Sequence, residues 1–185
     1  MPRIAVIPGD GIGREVLDEG LKVLRHLDSQ EGLGLEYELL NYGADRFLAE
    51  GIAITDEEMT SLGEDYDAIF LGALGDPRVP SNEHAGKILL GMRFQLDLYI
   101  NLRPVKLLDS RYCPLKDKSP EDMQFVVFRE NTEGLYTGIG GQFKKGTADE
   151  VSIQAELNTR KGVERIIRAA FEHAHTHSLK RVCMS

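Results

Sequence analysis

The sequence has no tryptophan and only two cysteines, Cys113 and Cys183, among 185 residues. The two lie far apart with no CxxC spacing, which excludes a disulfide scaffold and a cysteine zinc site. Positive charge is also scarce: Lys plus Arg total 22 against 30 Asp plus Glu, for a formal net charge of -8. Such a chain repels a polyanion unless its cations cluster, so no nucleic-acid partner is expected. A small anionic substrate is compatible, because it needs only a local pocket of arginines. No apolar run approaches the length of a membrane span, and no membrane partner is expected. The opening MPRIAVIPGDGIG has too short an apolar run for a signal peptide and breaks at Pro8-Gly9. The expectation is a cytoplasmic protein. With 42% hydrophobic and 28% charged residues, wholesale disorder is excluded too.

What is present alternates between strand and helix. Arg3 to Ile7 reads as a buried strand, punctuated by PGDGIG. Beyond Gly13, the residues Val16, Leu17, Leu21, Leu24 and Leu27 recur at helical spacing. Leu35 to Leu40 reads as a short strand, and Thr55 with Glu58 as a capping box. Ala68 to Leu74 is a second buried strand entering the loop GALGDPRVP, and a helix is predicted over Lys87 to Leu96. Tyr99 to Leu107 reads as extended despite Pro104, and Met123 to Phe128 as a central strand running into RENTEG. Leu135 to Ile139 and Val151 to Leu157 can pair as an arm. Thr159 caps a long helix whose inner side is predicted to hold Val163, Ile166, Ile167, Ala170, Phe171 and Ala174. Arg181 to Met184 reads as the start of another strand. Strands alternating with helices predict an α/β fold.

Several residues are candidates for chemistry. The glycines of PGDGIG fit either a tight strand-to-helix turn or a backbone cradle for an anion. The dinucleotide fingerprint would need a third glycine where this chain has Arg14. Arg93, Arg103 and Arg129 lie on a helix, an extended segment and a strand exit. Converging, they would form a permanently charged cradle for a di- or tricarboxylate; apart, they would be ordinary ion pairs. Tyr136, seven residues after Arg129, can serve as a general acid beside cations or as a half-buried aromatic. Glu130 and Glu133 read as solvated or paired. His173 and His177 share a helix face, suited to a metal or to the negative helix end. His84 has no evident partner.

In order and spacing, IAVIPGDGIGREV, FLGALGDPRVP, LLGMRFQLDLYINLRPVKL and FVVFRENTEGLYTGIG resemble the β-decarboxylating dehydrogenases, the isopropylmalate and isocitrate dehydrogenase family. The helix ending before RVCMS continues the match, so the resemblance covers nearly the whole chain. It implies an isopropylmalate-dehydrogenase-like two-lobed fold, incomplete in this chain. Residues 1–99 would begin the cofactor-side α/β domain, and 100–185 the second, dimer-forming domain, with an arm at about 138–157. It implies an NAD-dependent oxidative decarboxylation of a 2-hydroxy acid (NADP is possible), assisted by Mg or Mn, in a homodimer. Arg93, Arg103 and Arg129 would grip the substrate carboxylates, and Tyr136 would be the catalytic acid. Gly72, Ala73, Leu74, Gly75 and Asp76 would border the nicotinamide side of the cofactor.

The resemblance also bears on substrate. Isocitrate-type members usually carry a serine and an asparagine six and four positions before the first arginine, where this chain has Lys87 and Leu89. Isopropylmalate-type members carry a leucine pair, matched by Leu89 and Leu90, which would receive an isopropyl group and leave a third carboxylate unpaired. This favours 3-isopropylmalate and a place in leucine biosynthesis. One departure keeps isocitrate, homoisocitrate, tartrate or malate open: a glutamate common in isopropylmalate enzymes is Gly86 here. Members run to about twice this length. The base lysine and the metal aspartates would lie beyond Ser185, so no metal ligand is expected within the chain, and the segment alone is expected to be inactive. The rival class is a non-catalytic, carboxylate-binding regulatory subunit.

Overall fold

The aliphatic run at the amino terminus becomes the middle strand of a parallel sheet. The strands β1 (Arg3–Ile7), β2 (Glu36–Leu39) and β3 (Ala68–Leu71) lie in the order β2-β1-β3. Because side chains alternate along a strand, β1 serves two cores. Ile4 and Val6 pack with Leu17 and Leu21 of α1 (Ile12–Glu31). Ala5 and Ile7 pack on the other face with Met59, Leu62, Ile88 and Met92, together with Tyr42 and Ala53. Those residues come largely from α3 (Asp56–Glu64) and α4 (Glu83–Gln95), with α2 (Ala44–Glu50) alongside. Each fully buried large aliphatic side chain contributes about 1.5–3 kcal/mol, and β1 collects this on both faces, at Ile4, Val6 and Ile7. The predicted capping box opens α3: Glu58 N donates to Thr55 Oγ1, and Thr55 N donates to the Glu58 carboxylate.

The coordinates are a computed structural model describing residues 1–184, and they divide into two units, Met1–Leu96 and a second beginning at Asp97. In the second unit β4 (Ile100–Lys106) and β5 (Gln124–Glu130) form an antiparallel ladder running from Ile100↔Glu130 to Lys106↔Gln124. Pro104 is tolerated because β4 is an edge strand, where a missing N–H costs no ladder bond. Next come β6 (Gly140–Phe143) and β7 (Val151–Gln154), an antiparallel ribbon closed by a bridge between Gly134 and Leu157; its first strand is not the predicted Leu135–Ile139, because Leu135–Thr137 turns as a 3-10 helix. The last helix, α5 (Arg160–Thr176), is capped by Thr159, whose side chain accepts from Gly162 N, and it packs against β5.

Five further expectations are corrected. The strand predicted to reach Leu74 stops at Leu71, because the backbone at Gly72 passes against Pro8 and leaves the ladder. Helix α4 starts at Glu83, four residues before the predicted Lys87. Among the described residues β5 pairs only with β4, so it is not central, and Arg181 to Met184 carries no strand because it has no ladder partner. On α5, Ile166 and Ala170 are half-buried and Ala174 is buried. Val163, Ile167 and Phe171 are 42%, 37% and 58% exposed, so they are not on its inner side. An apolar pattern marks a face; burial also needs a neighbour to cover it.

Candidate functional site

In the first unit the candidate residues sit on two neighbouring pieces of chain. Leu89, Leu90 and Arg93 lie on α4 at i, i+1 and i+4, so Leu89 and Leu90 are each a helical neighbour of Arg93. All three are half-buried, while His84, Ile88 and Met92 form the inner stripe of the same helix. Gly72, Ala73, Leu74, Gly75 and Asp76 form the loop leaving β3. That loop interlocks with the PGDGIG turn: Gly9 has φ +71°, and a Cβ there would overlap the carbonyl oxygen of Ala73. A Cβ at Gly13 would lie 2.6 Å from Ala73 N and O. The glycines of PGDGIG therefore admit the 72–74 backbone. Gly9 and Gly13 serve this contact, whereas a Cβ at Gly11, the N-cap of α1, would meet nothing within 4 Å.

Asp10 fastens this junction. Its backbone N donates to Ala73 O (2.8 Å), while its carboxylate accepts from Ala44 N (2.7 Å) and Gly75 N (2.9 Å). The same carboxylate meets His84 Nε2 at 2.8 Å, and both side chains are essentially removed from solvent. Burial pushes the Asp10 carboxyl up, but the N–H groups of Ala44 and Gly75 and the His84 contact outweigh it and hold it below the usual carboxylate range. His84 thus has a partner the sequence did not reveal, 74 residues away. It also stacks on Phe47 at 5.9 Å, while its Nδ1 is buried with no hydrogen bond. Asp76, at the far end of the loop, is held at about 2 by hydrogen bonds from the Arg78 side chain and backbone. Arg78 and Arg14 both reach the Asp45 carboxylate, at 2.7 and 2.6 Å.

In the second unit the geometry brings three candidates together. Asn101 pairs with Arg129 across the ladder, and Arg103 follows Asn101 by two residues. Directly opposed residues and i, i+2 residues share a sheet face, so Arg103 and Arg129 are diagonal neighbours on one face, about 7–8 Å apart. Asn101 Oδ1 accepts from Arg103 Nε (2.9 Å), and Asn101 Nδ2 donates to Asn131 Oδ1 (3.1 Å). The Arg129 guanidinium lies over the Tyr136 ring, 5.3 Å from its centre. Two fixed positive charges and a phenol beside one of them can bind a carboxylate and deliver a proton next to it.

The RENTEG segment joining Arg129 to Tyr136 is wired from beneath. Glu130 accepts from Thr132 N, Thr132 Oγ1 and Glu133 N, each at 2.8 Å, and from Arg165 Nη2 at 2.9 Å. Arg165 also binds Asp97 through Nη1 (2.8 and 2.9 Å) and lies 4.4 Å over the Tyr99 ring. Glu133 accepts from Thr159 N at 2.7 Å and so secures the start of α5. Glu130 and Glu133 are therefore paired. Arg165 was missed from the sequence, although a charge between Val163 and Ile166 hinted at a buried partner. His173 and His177 stack with ring centres 4.0 Å apart, and His177 Nδ1 lies 2.9 Å from the His173 carbonyl oxygen, which engages that nitrogen within the helix. Among the described residues no group of three or more His, Cys, Asp or Glu is arranged to hold a metal ion. No helix among them is long and apolar enough to cross a membrane.

Comparison with known proteins agrees with this architecture. Residues 3–185 match the family model described as isocitrate/isopropylmalate dehydrogenase. The 3-isopropylmalate dehydrogenase of Thermobifida fusca is 47% identical over 172 residues, which is 93% of this chain and 48% of that protein. The decarboxylating D-malate dehydrogenase of Escherichia coli is 43% identical over 180 residues, covering 96% of this chain and 50% of the relative. The crystal structure of isocitrate dehydrogenase from Methylococcus capsulatus superposes with a TM-score of 0.76 at 31% identity, over 97% of this chain and 49% of that one. The chain thus spans about half the length of the relatives it matches. With its α/β fold, its motifs and the full-length match of its residues agreeing, the chain belongs to the isocitrate/isopropylmalate dehydrogenase family.

Proposed function

We propose that this chain forms the amino-terminal half of a cytoplasmic, homodimeric, NAD-dependent dehydrogenase that oxidatively decarboxylates 3-isopropylmalate. The observation that carries the reading is the arrangement in the second unit. Arg103 and Arg129 share one sheet face, and Tyr136 lies under the Arg129 guanidinium. Arg93, Arg103 and Arg129 would bind the substrate carboxylates through forked, permanently charged donors. Leu89 and Leu90, beside Arg93 on α4, would receive the isopropyl group, whose burial needs no polar partner. The loop from Gly72 to Asp76 would form one wall of the nicotinamide site.

The Gly72–Asp76 loop would border a bound nicotinamide, which would supply the hydride acceptor, and a Mg or Mn ion would supply Lewis-acid charge. This chain's own residues hold the dicarboxylate, exclude water from the apolar side chain and return a proton. Loss of carbon dioxide leaves an electron pair on carbon, and the Tyr136 hydroxyl supplies the proton that completes the C–H bond. The hydroxyl proton goes to a base outside this chain.

The test is Arg129→Ala in the intact enzyme. Losing a forked, charge-assisted pair is worth about 1.5–3 kcal/mol per bond. The expected drop in kcat/KM is therefore about a hundredfold or more, with an unchanged circular-dichroism spectrum. Unchanged kcat/KM removes Arg129 from the site. Parallel assays with D-malate, tartrate and isocitrate test the substrate, and a higher kcat/KM for any of them overturns the choice of 3-isopropylmalate. The 185-residue chain alone is expected to produce no NADH.

A further inference from the structure

We propose that Asp10 and His84 are positioning residues, a buried latch that fixes the Gly72–Asp76 loop in the shape the cofactor meets. The inference rests on the reading of that loop as the nicotinamide wall. It starts from the fact that nothing in the proposed chemistry uses either side chain, yet both are essentially removed from solvent. Burying a carboxylate is costly unless its oxygens are satisfied, and here they are satisfied by groups from distant parts of the chain. Ala44 N comes from the start of α2, Gly75 N from the loop itself, and His84 Nε2 from the first turn of α4. The backbone N–H of Asp10 adds a second tie to the loop through Ala73 O.

The direction of the bonds assigns each residue its part. Asp10 holds the loop at two points two residues apart, Ala73 O and Gly75 N, which sets the course of the backbone between them. Gly75 has φ +148°, a conformation a side chain rarely adopts, so local preference alone does not maintain it. His84 turns the carboxylate: with Nε2 donating, Oδ2 is fixed where Gly75 N can reach it. The other ring nitrogen, Nδ1, makes no hydrogen bond, so the imidazole contributes this one bond and its stacking on Phe47. His84 lies on the same helix as Leu89, Leu90 and Arg93, so the latch also links the helix bearing those residues to the loop.

The experiment compares Asp10→Asn, His84→Phe and His84→Gln in the intact enzyme by amide hydrogen exchange and by separate KM values for NAD and hydroxy acid. Asp10→Asn keeps the volume but sets an amide N–H against a backbone N–H, so it remains informative if His84→Phe does not fold. Exchange across 72–76 is expected to quicken at least tenfold in Asp10→Asn and His84→Phe. KM for NAD is expected to rise about tenfold, while KM for the hydroxy acid stays within twofold. His84→Gln, whose amide nitrogen can replace Nε2, is expected to restore most of both. Unchanged exchange in the loop overturns the latch. A parallel rise in both KM values with no rescue by glutamine also overturns it, because that is the signature of general destabilisation. Faster exchange with an unchanged KM for NAD leaves the latch standing and overturns the placement of the loop against the cofactor.

Discussion

Replacing Arg165 with methionine tests the wiring beneath the RENTEG segment. The side chain binds Glu130 and Thr132 through Nη2 and Asp97 through Nη1, and it covers the Tyr99 ring at 4.4 Å. Arg165 and Glu130 are 16% and 17% exposed, so the pair is largely shielded, whereas Asp97 at 59% is not. A hydrogen bond to a charged group is worth about 1.5–3 kcal/mol. The exposed Asp97 arm adds little after screening. Glu130 keeps three other donors in the variant, which limits the cost of leaving its charge behind. The expected loss is therefore about 2–3 kcal/mol, read as a lower urea midpoint by circular dichroism. The effect depends on pH. Burial pushes the Glu130 carboxyl up, but Thr132, Arg165 and Glu133 outweigh it and hold it below its usual range. A depressed carboxylate contributes its full stability above its unfolded pKa and loses it as pH falls through the lower folded value. The gap between wild type and variant is thus widest at neutral pH and narrows below about pH 4. A loss under about 0.5 kcal/mol, or a gap that widens in acid, refutes the Arg165–Glu130 account.

Tyr136→Phe is expected to lower kcat about a hundredfold or more with little change in KM, because the proton is needed after binding. An unchanged kcat would assign the acid elsewhere. Gly72→Ala places a Cβ on the Pro8 carbonyl oxygen, with Gly13 O only 2.9 Å away, and backbone atoms cannot rotate aside. The expected loss is about 1–3 kcal/mol, seen as a fall of about 5 °C in Tm. A wild-type Tm would mean that the two loops are less tightly interlocked than the structure has them.

Much of the local architecture was legible because its causes are local. The aliphatic run of β1 lies where expected, and so do the capping box of α3 and the Thr159 cap of α5. Each depends on residues a few positions apart, whose preferences act before any tertiary contact forms. The arm forms within the expected stretch, but its first strand is Gly140–Phe143 and not Leu135–Ile139, because Leu135–Thr137 turns as a 3-10 helix. The motifs also carried the family, since order and spacing survive in a linear sequence. Misreadings clustered where a neighbour decides the outcome. The apolar face of α5 was predicted as a whole, yet Phe171 stays exposed while Ala174 is buried. Arg181 to Met184 has strand-like residues but, among the described residues, no strand to pair with.

By itself, then, the sequence determined the α/β alternation, the helix caps, the arm and the residue types available for a carboxylate site. Only the tertiary structure decided how those residues are held. Asp10 and His84 are 74 residues apart, and Arg165 and Glu130 35 apart. No periodicity links such pairs, because the free energy that joins them exists only once burial removes water and leaves each charge to find its partner. The PGDGIG glycines show the same division. The sequence marked a place where backbone must come close, and the fold determined that the backbone arriving there is Ala73.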